Sequence, residues 1–158
     1  MMLTRPLEGQ SARLMAVGLL GLGLASPQAT LRAAELLVRE AKALATVPGQ
    51  PVAAAYMVLS SREDTELVSM SSDAAARVEL HRMDKQGDIS RMRRVETLAL
   101  TAGESVRFTS GGLHLMLMDL NRPLQAGQQI RLEFVTVDRE GRRSVTPIVV
   151  PVVKALPR

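Results

Sequence analysis

Between Ala41 and Val153 the chain is broken into short apolar runs by turn-forming residues, and this punctuation decides the fold class before any other property does. The breaks fall at Val47-Pro48-Gly49-Gln50, Ser61-Arg62-Glu63-Asp64, Gln86-Gly87, Ala102-Gly103, Gly111-Gly112, Asn121-Arg122-Pro123 and Arg139-Glu140-Gly141. Runs of about 4–8 residues with turn signals every 8–12 or so are the pattern of strands in an all-β sandwich or barrel. The expected strands are 41–47, 53–60, 65–71, 75–83, 88–95, 104–109, 112–119, 128–137 and 144–153. Pro147 and Pro151 cannot donate ladder hydrogen bonds, so the last run reads as an edge strand or a broken one. No internal repeat, heptad or low-complexity tract interrupts the series, and 158 residues suit one domain.

Composition narrows the function classes. Apolar residues make up 46% of the chain but aromatics only 2%, so the core must be built from Val, Leu, Ile and Ala. That scarcity argues against single-stranded nucleic-acid binding, which leans on aromatic stacking. The net charge of +4 is spread along the sequence, with its densest run at Arg91, Arg93 and Arg94. Such a run reads better as a solvated strand face than as a nucleic-acid footprint, with steering toward an acidic partner as a minor alternative. There is no cysteine, which excludes disulfide scaffolds and thiolate metal sites.

The N-terminus reads as an export signal. Arg5 and Arg13 precede an uncharged apolar run, Leu14 to Ala25. The run is too short for a spanning helix, which needs about 18 residues or more, and suits a signal-peptide h-region. Gly23-Leu24-Ala25 is a serviceable cleavage sequence, Ala29 or Ala33-Ala34 are other positions for it, and an amphipathic N-terminal helix or an uncleaved anchor is the alternative reading. The expected organisation is a signal segment over 1–25, an N-terminal extension over 26–37, a β-sandwich over 38–153 and a tail over 154–158. Ser26 to Glu40 is Ala/Leu-rich and fits a short helix, although a strand can begin as early as Val38.

The chemistry lies in two triplets. The chain has two histidines, and each opens a His-x-Met sequence: His81-Arg82-Met83 and His114-Leu115-Met116. Residues i and i+2 of a strand share a face, so each triplet projects an imidazole beside a thioether. If Gln86-Gly87 is a two-residue hairpin loop, paired residue numbers sum to 173 and His81 faces Met92. In Leu113-His114-Leu115-Met116-Leu117-Met118 the leucines form the core face and His114, Met116 and Met118 the other. A lone methionine is more often a packing residue than a ligand. The joint pattern, both histidines with methionine at strand spacing, shifts the balance toward a metal. Thioether sulfur with imidazole selects Cu(I) over oxygen-seeking cations. Structural zinc sites use Cys, His or carboxylate, and blue-copper electron transfer needs a cysteine.

The spacing His81, ten residues, Met92, twenty-one residues, His114-x-Met116 resembles the signature of the periplasmic copper chaperones called PCu(A)C. Local matches are Ala45-Thr46-Val47-Pro48-Gly49-Gln50, Ala54-Ala55-Tyr56-Met57, Val78-Glu79-Leu80-His81-Arg82-Met83 and Gly111 to Leu120. The resemblance runs from about Val38 to Val153. It implies a cupredoxin-like Greek-key β-sandwich in the periplasm, with Cu(I) held by His81, Met92, His114 and Met116. It also implies a monomer that docks near the membrane and delivers copper to the copper centre of cytochrome c oxidase, or to another copper chaperone. Met83 and Met118 would shield the site or help exchange the ion. Two other readings compete: a metal-free exported interaction module, and a mononuclear copper enzyme. The second ranks last, because it would need an open coordination position and redox turnover, which two thioether ligands do not suit; no nucleophile–base constellation or phosphate-cradling glycine loop appears either.

Overall fold

The computed structural model describes residues 35–87 and 89–154. The expected signal segment, most of the expected extension and residues 155–158 lie outside that range. Among the described residues there are ten strands and no helix. They are β1 Leu36–Leu44, β2 Val52–Ser61, β3 Thr65–Ser72, β4 Ala75–Gln86, β5 Ile89–Val95, β6 Leu98–Leu100, β7 Ser105–Arg107, β8 Leu113–Leu120, β9 Gln129–Asp138 and β10 Arg143–Val153.

Hydrogen bonding runs in the order β5-β4-β8-β2-β1-β10-β9-β3-β6, with β7 added beside β2. The two halves of this path are joined by a short parallel contact, Ala43 with Val152 and Leu44 with Val153. They form the layers of a cupredoxin-like Greek-key β-sandwich. Strand β9 shows why the layers face as they do. Ile130, Leu132, Phe134 and Thr136 are buried, while Gln129, Arg131 and Glu133 between them are exposed. This is the period-two alternation of a sheet with one solvated face. The opposite layer contributes Ala53, Ala55, Met57 and Leu59 from β2 and Leu115 and Leu117 from β8, all within the same apolar cluster.

The sequence places the first strand too late. Strand β1 begins at Leu36, so Leu36 to Glu40 is extended chain and not helix, and the sandwich takes in the last residues of the expected extension. A β-bulge between Arg39 and Lys42 breaks its alternation: Leu36 is buried on one side of it and Ala43 on the other. Glu40, at the bulge, has φ 53°. Strand β6 is three residues long and carries no turn signal of its own, and the sequence reading passes over it.

Strand β10 is continuous despite Pro147 and Pro151. It pairs with β9 from Arg143 to Pro151, and its other side meets β1 only at Val152 and Val153. Val152 donates its N–H toward Gln128 on the β9 side. By alternation the nitrogens of Pro147 and Pro151 face the open side, where no ladder bond is lost.

Candidate metal centre

The site is built on the outer face of β5, β4 and β8. In β8, Leu115 and Leu117 are fully buried in the core. That fixes the alternation and turns His114, Met116 and Met118 to the opposite face. In β4, Val78 and Leu80 pair with Leu117 and Leu115 in the core. Arg77, Glu79, His81 and Met83 are therefore on the face that carries His114.

His81 and His114 stand directly opposite each other across the β4–β8 ladder. Their ring centroids are 6.1 Å apart and the planes are inclined at 46°. His114 is buried, at 4% exposure. Its Nδ1 lies 3.0 Å from the Gly112 carbonyl oxygen, which can only accept, so Nδ1 carries the proton and Nε2 keeps the lone pair. His81 makes the opposite choice. Its Nε2 lies 2.9 Å from Glu79 Oε2 and donates to that carboxylate. In the neutral ring Nδ1 then holds the lone pair, and it is buried with no hydrogen-bond partner. An unsatisfied buried polar atom costs about 1–3 kcal/mol, so its persistence asks for an explanation.

The surroundings keep Glu79 ionised. The hydrogen bond from His81 holds its carboxyl below the usual carboxylate range, and the Arg94 and Arg77 charges add to this against the opposing effect of burial. Burial raises the Tyr56 phenol, so this residue brings no anionic oxygen to the same layer.

The methionines divide into two groups. Met116 follows His114 by two residues and pairs with Glu79 on one side and Ala54 on the other. Met92 pairs with Met83, not with His81, because paired numbers in the β4–β5 hairpin sum to 175. The expected register is thus corrected by two residues. Gln86 pairs with Ile89, so the two-residue loop starts at Gly87, whose φ of 60° suits the first central position of a tight hairpin turn. The shift keeps Met92 on the His81 face but moves it one step toward the hairpin tip, where it is 49% exposed.

A local two-fold axis of the antiparallel ladder passes between His81 and His114, and it exchanges Met83 with Met116. The two His-x-Met triplets are equivalent about this axis. Met92 lies one strand further out. From about 4.8 Å per strand and 3.3 Å per residue, its Cα is on the order of 15 Å from that of Met116. On the ladder the histidines and Met116 are neighbours, Met83 is the symmetric counterpart of Met116, and Met92 lies opposite Met83 on the edge strand. Met118 sits further along β8, opposite Arg77.

Two nitrogen lone pairs and several thioethers on one face make a soft donor set. Among the described residues no three His, Cys, Asp or Glu side chains form a group able to hold a metal, so any ion here depends on methionine. Both histidines and the methionines are legible in the sequence; Glu79 and Gly112, which hydrogen-bond the two rings, are not. The one sign of Glu79 is its spacing: a carboxylate two residues before a histidine on a strand shares its face.

The fold is a cupredoxin-like sandwich of the PCuAC kind. Residues 36–151 match the family described as "Putative lipoprotein LpqE-like", and the chain belongs to that family. It is 32% identical over 87 residues to "Putative lipoprotein Lxx21020" of Leifsonia xyli subsp. xyli, a match covering 54% of this chain and 50% of that protein. The chain thus matches about half the length of this curated relative. Among solved structures it is similar to the copper-bound PCuAC domain from PmoF2, with 18% identity and a TM-score of 0.60 over 78% of this chain and 97% of that one. It is also similar to the solution structure of CuI-DR1885 from Deinococcus radiodurans, with 26% identity and a TM-score of 0.59 over 76% and 78% of the two chains.

Proposed function

We propose that this chain is an exported Cu(I) carrier, a metallochaperone and not an enzyme. It takes up one ion on the outer face of β4 and β8 and passes it to a copper-accepting protein. The observation that carries the reading is the pair of facing imidazoles, each with one nitrogen tied to the protein and the other left with a lone pair. His81 Nδ1 and His114 Nε2 supply the nitrogens. Met116 supplies one sulfur, and the hairpin supplies a second from Met92 or from Met83 opposite it. The names of the similar PCuAC structures, one copper-bound and one holding Cu(I), support copper as the cargo.

The donor set explains the choice of ion and the direction of traffic. Neutral imidazole and thioether favour Cu(I) and give zinc and calcium poor sites. A site without thiolate cannot be lost to disulfide formation in an oxidising compartment, although its sulfurs are open to sulfoxide formation. Half-exposed Met92 gives an accepting protein a sulfur to displace first. The copper centre of cytochrome c oxidase is the recipient that the family resemblance favours. The lipoprotein names of its relatives and the N-terminal pattern favour export to the periplasmic side.

Anaerobic competitive titration against a chromophoric Cu(I) chelator tests the reading. The chain should take up one Cu(I) and little Zn(II). His114→Ala combined with Met116→Leu should lower Cu(I) affinity by at least about 100-fold, about 2.8 kcal/mol at 1.4 kcal/mol per decade. Full-strength binding by that double variant would defeat the assignment. No uptake by the unaltered chain would favour the metal-free module.

A further inference from the structure

Glu79 has no place in the donor set, yet it is the most closely held charged side chain on this face. It stands two residues before His81 on β4, its side chain is 12% exposed, and it pairs with Met116 across the ladder. Oε2 accepts from His81 Nε2 at 2.9 Å. Oε1 faces Arg94 Nη1 at 3.5 Å and Arg77 Nη1 at 3.7 Å. Arg94 comes from β5 directly opposite His81, and Arg77 is itself anchored on Asp119 at 2.8 Å. The carboxylate is therefore gripped on one oxygen by two cations and offers the other to the imidazole.

The geometry points to Glu79 as a positioning residue that makes His81 present Nδ1, and not Nε2, to the Cu(I) ion. The inference rests on the carrier reading given above. With Nε2 committed to the carboxylate, the ring cannot turn that nitrogen to the face without breaking a charge-assisted hydrogen bond. Nδ1 is left buried and unpaired where a ligand would satisfy it. His114 is set the other way, with Nδ1 on the Gly112 carbonyl and Nε2 free. The two facing histidines thus offer unlike nitrogens, each chosen by its own hydrogen-bond partner. Partners of this kind behind metal-ligating histidines are worth about 10–100-fold in affinity.

The test is long-range ¹H–¹⁵N correlation on the ¹⁵N-histidine-labelled full chain, with and without Cu(I), alongside competitive Cu(I) titration. In the unaltered protein, copper should shift Nδ1 of His81 and Nε2 of His114. Glu79→Leu should lose the preference at His81, spread the shift over both nitrogens and weaken Cu(I) binding 10–100-fold. Glu79→Gln keeps an oxygen that can accept from Nε2, so it should retain Nδ1 ligation and recover most of the affinity. Copper shifting His81 Nε2 in the unaltered chain overturns the inference without recourse to any variant. So does a Glu79→Leu protein that keeps both the Nδ1 shift and its affinity within threefold. If neither histidine shifts in the unaltered chain, the carrier reading itself fails, an outcome distinct from the other two.

Discussion

The corrected hairpin register makes a quantitative prediction about Met83 and Met92. Both lie on the His81 face, directly opposite one another, with Cβ atoms about 5 Å apart as in any facing cross-strand pair. Met83 is two residues from His81, about 6.6 Å along the strand, and Met92 is one strand spacing of about 4.8 Å further out. On the carrier reading proposed above, either sulfur would serve as the second thioether beside that of Met116, each standing in when the other is removed. Met83→Leu and Met92→Leu should therefore each weaken Cu(I) binding by less than about tenfold, or about 1.4 kcal/mol. The double variant should lose at least about 100-fold, so the coupling between the two sites should be appreciable. Fold damage should not confuse the result, because leucine for methionine costs under about 1.5 kcal/mol even when buried, and Met92 is half exposed. The assay is anaerobic chelator competition at fixed pH, with thermal melts of each variant as the control. A Met92→Leu variant as weak as the double would refute the shared position and leave Met92 as the sole hairpin sulfur.

Three further perturbations probe the core face, the His114 ring and the Asp138 turn. Leu117 is fully buried between Ala53 and Val78, so Leu117→Ala should cost about 2–5 kcal/mol in urea unfolding, and a loss under 1 kcal/mol would show the β8 core face to be misplaced. Gly112 supplies the carbonyl that accepts from His114 Nδ1 and from the Met83 N–H, and a Cβ there would meet Thr109 Oγ1 at 3.0 Å. Gly112→Ala should therefore lower stability by no more than about 1 kcal/mol while visibly moving the His114 ring resonances, and unchanged resonances would remove the carbonyl from the account. Burial alone would raise the Asp138 carboxyl, but the Arg142 side chain and the backbone N–H groups of Arg142 and Glu140 outweigh it and hold it below the ordinary range. A depressed folded value means stability that is complete above the unfolded value of about 3.9 and is lost as pH falls through the folded one. The stability gap between the unaltered chain and Asp138→Asn should accordingly shrink from pH 7 to pH 2.5, and a pH-independent gap would contradict this.

Much of the fold was readable where a strand keeps strict alternation. Strand β9 and strand β8 announce their inner faces residue by residue, and the turn at Gly141 carries the φ of 78° that glycine tolerates. Strand β1 was misplaced because a bulge reverses its inward face halfway along, which no period-two pattern survives. At the candidate metal centre the residue types were legible and their mutual placement was not. The hairpin register turned on whether Gln86 or Gly87 opens the loop, and a single-residue change in loop position displaces every pair by two. Glu79 and Gly112 escaped notice because they carry no ligand chemistry themselves. Their contribution is the choice of which imidazole nitrogen remains free.

Copper K-edge X-ray absorption on the anaerobically loaded protein addresses the heart of this account. Facing imidazoles with flanking thioethers predict a Cu(I) edge, one metal per chain, and both nitrogen and sulfur scatterers in the inner sphere. A spectrum with light-atom scatterers alone, or a signal unchanged when His81 and His114 are both replaced by alanine, would contradict it.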